Sequence, residues 1–131
     1  MKTNQQNIKI VGVVTYGNGL GQKLGFPTAN LLPSEPLVNV EDGVWAGCAE
    51  VDSKEYGCVV NIGFSPSVVE GGNRRIEAHI MGFEGDLYNR EIAITLHYHL
   101  REERKFSSRE ELVEQITRDR DQALALLAKK Q

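Results

Sequence analysis

Between Glu91 and Leu100 the chain alternates strictly. Ile92, Ile94, Leu96, Tyr98 and Leu100 are interleaved with Ala93, Thr95, His97 and His99, and this period of two predicts a strand with one apolar face. Ile8 to Tyr16, Gly43 to Val51, Tyr56 to Phe64 and Ile76 to Phe83 are short segments rich in β-branched residues and bounded by turn formers, and they predict further strands. After Phe106 the period changes. Ser107 followed by Glu110 has capping-box spacing. Leu112, Ile116, Ala123 and Leu127 then recur at helical spacing, with Val113 and Leu124 widening the stripe, so the pattern predicts a C-terminal helix over 107–128.

The connections between these strands are short and carry no helical segment. Right-handed βαβ crossovers are thereby excluded, and an antiparallel meander or Greek key remains. With five or six strands and one helix to cover them, closing the sheet into a small barrel with the helix outside removes the exposed edges. The fold class read from the pattern is mainly β.

Composition narrows the possible partners. The 131 residues suit a single domain spanning 1–131, with residues 1–7 as an extended or disordered arm. Lys plus Arg number 15 against 18 Asp plus Glu, a formal charge of −3, which argues against nucleic-acid or anionic-membrane affinity driven by overall charge. An oligonucleotide-binding barrel would also need exposed aromatics along a basic groove. No apolar run approaches the ~20 residues of a spanning helix, and Met1 to Asn7 lacks the apolar centre of a signal peptide. Two cysteines, Cys48 and Cys58, make neither a disulfide framework nor a zinc site. A cytoplasmic monomer binding neither nucleic acid nor membrane is the expectation.

The chemistry concentrates in Gly17-Asn18-Gly19-Leu20-Gly21-Gln22-Lys23-Leu24-Gly25-Phe26-Pro27-Thr28-Ala29-Asn30. Successive glycines let backbone amides turn toward a phosphate. No Gly-Lys-Ser/Thr follows, so the stretch is not a P-loop, and no helix follows to make a dinucleotide fingerprint. Taken alone, a flexible hairpin loop explains it equally well. Thr28 and Asn30 add two neutral oxygen donors on one side of an extended segment, a set suited to Mg²⁺; local turn bonding is the plainer alternative. Glu77 lies within a strand pattern, two residues before His79. Aimed into a barrel mouth it can accept a proton from a substrate hydroxyl, whereas aimed at solvent it is a surface charge. His97 and His99 have no third ligand near in sequence, so no metal site is expected there. Arg101, Arg104, Lys105 and Phe106 place cations beside an aromatic ring, suited to a planar or anionic ligand or to an ordinary solvated loop.

Together these segments resemble the riboflavin kinase (flavokinase) family, including the kinase module of bacterial bifunctional riboflavin kinase/FAD synthetases. The resemblance runs from about Val11 to Ala123. It rests on Gly17 to Asn30 with its Gly-Phe-Pro-Thr-Ala-Asn ending, Asn61-Ile62-Gly63, Glu77-Ala78-His79-Ile80-Met81, Gly85-Asp86-Leu87-Tyr88, Leu100-Arg101-Glu102-Glu103 and Lys105-Phe106-Ser107. It implies a six-stranded antiparallel Greek-key barrel with a C-terminal helix, and transfer of the ATP γ-phosphoryl group to the riboflavin 5′-hydroxyl, giving FMN and ADP. Carried over, Glu77 is the catalytic base, and Gly17, Gly19, Gly21, Lys23, Gly25, Thr28 and Tyr88 bind ATP. Thr28 and Asn30 hold Mg²⁺, and Arg101, Arg104 and Phe106 lie along the flavin. Asn89, Gln22 and Ser65-Pro66-Ser67 depart from the family's glycine, arginine and Arg-Pro-Thr. The nucleotidyltransferase module of the bifunctional enzymes is not matched, so FAD synthesis is not expected of this chain. A barrel that binds flavin or nucleotide without turnover is the alternative.

Overall fold

A computed structural model describes residues 5–15, 28–64 and 74–128. Among them are six strands, β1 (Ile8–Thr15), β2 (Ala29–Pro33), β3 (Gly43–Val51), β4 (Lys54–Phe64), β5 (Arg74–Ile80) and β6 (Glu91–Arg101), followed by one helix, α1 (Arg109–Ala128). The strands close into a barrel in the order β1-β2-β5-β4-β3-β6, and every pairing is antiparallel. β3, β4 and β5 form a meander and β6 returns beside β3, which is the Greek-key arrangement. The mainly-β barrel with an external C-terminal helix is therefore observed. β2 is the strand that alternation did not predict, because five residues ending in proline carry too little pattern.

The barrel interior is filled by alternate residues of all six strands, among them Ile10, Val14, Leu31, Trp45, Val60, Ile62, Ile76, Ala78, Ile94 and Leu96. A second apolar cluster lies outside the barrel. There Ala46, Tyr98 and Ala123 pack with Val59, Met81, Leu100, Leu126 and Leu127 as α1 crosses β4, β3 and β6.

This second cluster corrects the reading of β6 as one continuous apolar face. Ala46 faces Tyr98 while Gly47 faces Leu96, and Val44 faces Arg101 while Trp45 faces His99, so the ladder steps over His97 and Leu100. Each bulge inserts a residue and shifts the alternation. Ile92, Ile94 and Leu96 stay inside, while Tyr98 and Leu100 turn out beneath the helix. Gly47 makes the approach possible, since a Cβ there would stand 2.3 Å from the Thr95 carbonyl oxygen.

The helix also differs from its predicted pattern. Its cap is Ser108 rather than Ser107: the Glu111 amide donates to Ser108 Oγ at 3.1 Å, and the Ser107 amide donates to Glu111 Oε1 at 3.2 Å. Asp119 and Ala123 are its buried residues, whereas Leu124 is exposed. The packed seam thus passes through an acidic side chain that no hydrophobic pattern includes. Arg101 makes this possible by donating from Nε and Nη2 to the two Asp119 carboxylate oxygens at 3.0 and 2.8 Å, and Gln115 adds a third bond at 3.0 Å.

The β3–β4 hairpin turns on Asp52 and Ser53, both left-handed, with φ of 52° and 67°. This is a type I′ turn, which favours glycine at its second position. Ser53→Gly is expected to raise stability by about 0.5–1 kcal/mol, read as a higher urea midpoint at unchanged slope. A midpoint at or below the parent's would show that the turn carries no such strain.

Candidate active site on the outer face of the barrel

Strand alternation dictates where the polar candidates stand. Val14, Leu31, Ala78 and Val60 point inward, so their chain neighbours Thr15, Asn30, Glu77 and Asn61 point outward. Register then aligns them. Thr15 lies opposite Asn30, Asn30 opposite Glu77, and Glu77 opposite Asn61. Directly opposed residues on one face hold their Cβ atoms about 4.5–5.5 Å apart. Glu77 is thereby flanked on both sides by asparagine amides. It points neither into the barrel mouth nor freely into solvent: its side chain is 19% exposed on the barrel's outer wall. Thr28 precedes β2 by one residue, is exposed, and has the same parity as Asn30. Thr28, Asn30 and Glu77 present only oxygen donors or amides, a set that fits a hard divalent cation with bound phosphate.

Three charged residues surround this row. Arg75, two residues before Glu77 on the same face, brings Nε to 3.5 Å from Glu77 Oε1. Glu103 reaches across from beyond β6 and lays its carboxyl over Gly63, the residue opposite Arg75. Partial burial pushes the Glu103 carboxyl pKa up; Arg75 opposes this, Asp42 and Glu77 reinforce it, and Arg101 opposes it. Arg101 completes the ring, since Val44 faces both Asn61 and Arg101, but its guanidinium is turned to Asp119.

The segment after β6 carries the remaining cations. Arg104 lies over the Phe106 ring with Cζ 4.8 Å from the centroid, and Arg101 approaches the same ring at 5.8 Å. At the barrel end beside Thr15, Leu87 is buried and Tyr88 is exposed. The Tyr88 amide donates to Asp86 Oδ1 at 2.9 Å, and the Asn89 amide donates to the Val14 carbonyl at 2.8 Å. Asn89 adopts φ 66°, the left-handed conformation that asparagine tolerates in place of glycine. Gly17, Gly19, Gly21, Gln22, Lys23, Gly25 and Ser65 lie outside the described residues.

The two β6 histidines are separated by the bulges rather than sharing a face. His97 Nδ1 lies 2.9 Å from Asn7 Oδ1, while His99 Nε2 lies 3.0 Å from the Asp42 carbonyl and its ring meets Trp45 edge-on. Cys58 is fully buried, and that burial, with Cys48 nearby, pushes its thiol pKa up, leaving it inert.

Asn61, Arg75 and Glu103 carry no role in the sequence reading. An asparagine inside Val59-Val60-Asn61-Ile62 and a glycine at position 63 are the available signals, but pairing Asn61 with Glu77 requires the register.

The fold and this row define a Greek-key barrel that gathers a carboxylate, amide and hydroxyl oxygens and arginines on its outer wall. The flavokinase family model, described as riboflavin kinase, matches residues 4–127, and the chain belongs to that family. It is 38% identical over 120 residues to the bifunctional riboflavin kinase/FMN adenylyltransferase of Pseudomonas fluorescens, covering 92% of this chain and 38% of that protein. The chain thus spans well under half of the length of that curated relative. A solved structure described as a macrolide-efflux protein from Streptococcus pneumoniae superposes with a TM-score of 0.80 at 28% identity, over 86% of this chain and 37% of that one. Riboflavin kinase from Trypanosoma brucei superposes with a TM-score of 0.64 at 22% identity, over 95% of this chain and 82% of that one, and shares the fold.

Proposed function

We propose that this chain transfers the γ-phosphoryl group of ATP to the 5′-hydroxyl of riboflavin, yielding FMN and ADP. The observation that carries the reading is the alignment of Asn30 with Glu77 across β2 and β5 in a chain of the riboflavin kinase family. In the reaction, the hydroxyl oxygen forms a bond to the γ-phosphorus as the bond from that phosphorus to the ADP oxygen breaks. The hydroxyl proton passes to the Glu77 carboxylate. Asn30 and Asn61 flank that carboxylate across the two strand pairings, and Arg75 orients it. Thr28 and Asn30 would hold Mg²⁺, which when bound neutralises charge on the phosphate oxygens. Tyr88 stands at the barrel end beside Thr15, on the nucleotide side, while Arg104 and Phe106 offer a flat cationic and aromatic surface to the flavin. Phosphoryl transfer relies chiefly on such positioning and charge neutralisation.

The reading is tested by Asn30→Ala. Loss of one oxygen donor is expected to raise the KM for Mg-ATP about tenfold or more, while the riboflavin dissociation constant stays within about twofold. Equal loss of both would place Asn30 in general folding rather than on the nucleotide side.

A further inference from the structure

The seat of Glu103 is not one that folding alone selects. A Cβ at Gly63 would stand 2.0 Å from Glu103 Oε1, 2.5 Å from its Cδ and 2.7 Å from Oε2. All three carboxyl atoms therefore occupy the space that a side chain at position 63 would fill. The glycine opens a socket on the outer wall of β4, facing Arg75 and one step along the strand from the Asn61–Glu77 pair. The carboxylate enters that socket although two of its charged neighbours, Asp42 and Glu77, have the same sign.

The sign of the cost is clear. A carboxyl whose pKa is raised on folding is ionised there at some cost, so charge alone does not draw Glu103 to the socket. A local conflict of this kind marks function rather than packing. Its consequence is geometric. Glu103 lies between Arg101, which is tied to Asp119, and the Arg104–Phe106 pair. With both anchors engaged, the chain from Arg101 to Glu103 is held against the wall that carries Glu77, and Arg104 and Phe106 follow directly.

We propose that Glu103, seated over Gly63, is a positioning residue that latches the 102–106 strap against the outer wall and so sets where Arg104 and Phe106 meet the acceptor flavin. The assignment rests on the riboflavin kinase reading and adds to it two residues, Glu103 and Gly63, as the latch and its socket.

Riboflavin fluorescence quenching and turnover, measured on the full chain and on Glu103→Ala, Gly63→Ala and the double variant, test the latch. Glu103→Ala is expected to weaken riboflavin binding about tenfold, to leave the KM for ATP within about twofold, and not to lower the thermal midpoint. Gly63→Ala drives a methyl group into the carboxylate and is expected to weaken riboflavin binding comparably in the parent but to add nothing in the Glu103→Ala background. Riboflavin binding within about twofold of the parent in Glu103→Ala, or fully additive losses, would overturn the latch. So would a lowered thermal midpoint with riboflavin and ATP affected alike, because that pattern belongs to a structural contact. If the parent binds riboflavin but makes no FMN, the kinase reading fails while quenching still judges the latch. A parent that binds no riboflavin overturns both.

Discussion

Glu77→Gln is expected to lower turnover about a thousandfold, within the range assigned to a positioned general base, while riboflavin binding changes by less than about threefold. Glutamine keeps the length of the side chain and its place between Asn30 and Asn61, so the outer wall and its register are preserved. It cannot accept the proton that the hydroxyl must lose. The same change removes the partner of Arg75 Nε, but that contact is long, at 3.5 Å, and partly exposed, and ion pairs of this kind contribute little to stability. Single-turnover measurement at saturating ATP and riboflavin separates the chemical step from binding. Turnover within tenfold of the parent would remove Glu77 as the base. A collapse of riboflavin binding would instead make it a flavin contact.

Asp119→Ala is expected to cost about 3 kcal/mol or more of stability, because breaking one side of a buried ion pair leaves the other charge uncompensated. Asp119 is 3% exposed in the only acidic position of the packed helix seam among the described residues, and it accepts from Arg101 twice and from Gln115 once. The alanine variant leaves the partly buried Arg101 guanidinium with no carboxylate. Urea unfolding of parent and variant reads the difference directly. A loss below about 1 kcal/mol would mean that Arg101 swings to solvent at little cost, as expected of exposed pairs such as Arg118–Glu114. The effect also reaches the site, because Arg101 anchors the start of the strap that Glu103 latches.

Much of this architecture was legible from residue pattern. Gly43 to Val51 is observed as a strand with the same bounds, and the interior positions Ile92, Ile94 and Leu96 follow from alternation alone. What alternation could not reveal is where it breaks. A bulge leaves no mark in a hydrophobic pattern, so alternation groups Tyr98 and Leu100 with Ile92, Ile94 and Leu96 although they lie under the helix. The helix seam is legible in part: Ala123 and Leu127 pack as their spacing predicts, whereas Leu124 is exposed and Asp119 is buried through a partner eighteen residues away that only the fold brings near.

The site divides in the same way. Thr28, Asn30 and Glu77 were identifiable as residue types suited to metal, phosphate and proton transfer, and the family resemblance assigned them roles. Their alignment was not legible, because it depends on β2 pairing with β5 across a crossover. The strand pattern offers Glu77 a barrel mouth or open solvent, yet the outer wall of a small barrel is a third environment. Its interior is filled by apolar side chains, so a polar site can form only on the outside or at the ends. Asn61, Arg75 and Glu103 reach the site through register and a long side chain, neither of which a linear pattern contains.

The central claim is tested most directly by incubating the purified chain with riboflavin, ATP and Mg²⁺ and separating FMN from riboflavin by chromatography. The account predicts FMN formed in step with ADP, requiring both ATP and the divalent ion, and slowed about a thousandfold by Glu77→Gln. Riboflavin bound and quenched without any FMN, under conditions where a known riboflavin kinase turns over, would contradict it and identify a flavin-binding barrel without phosphoryl transfer.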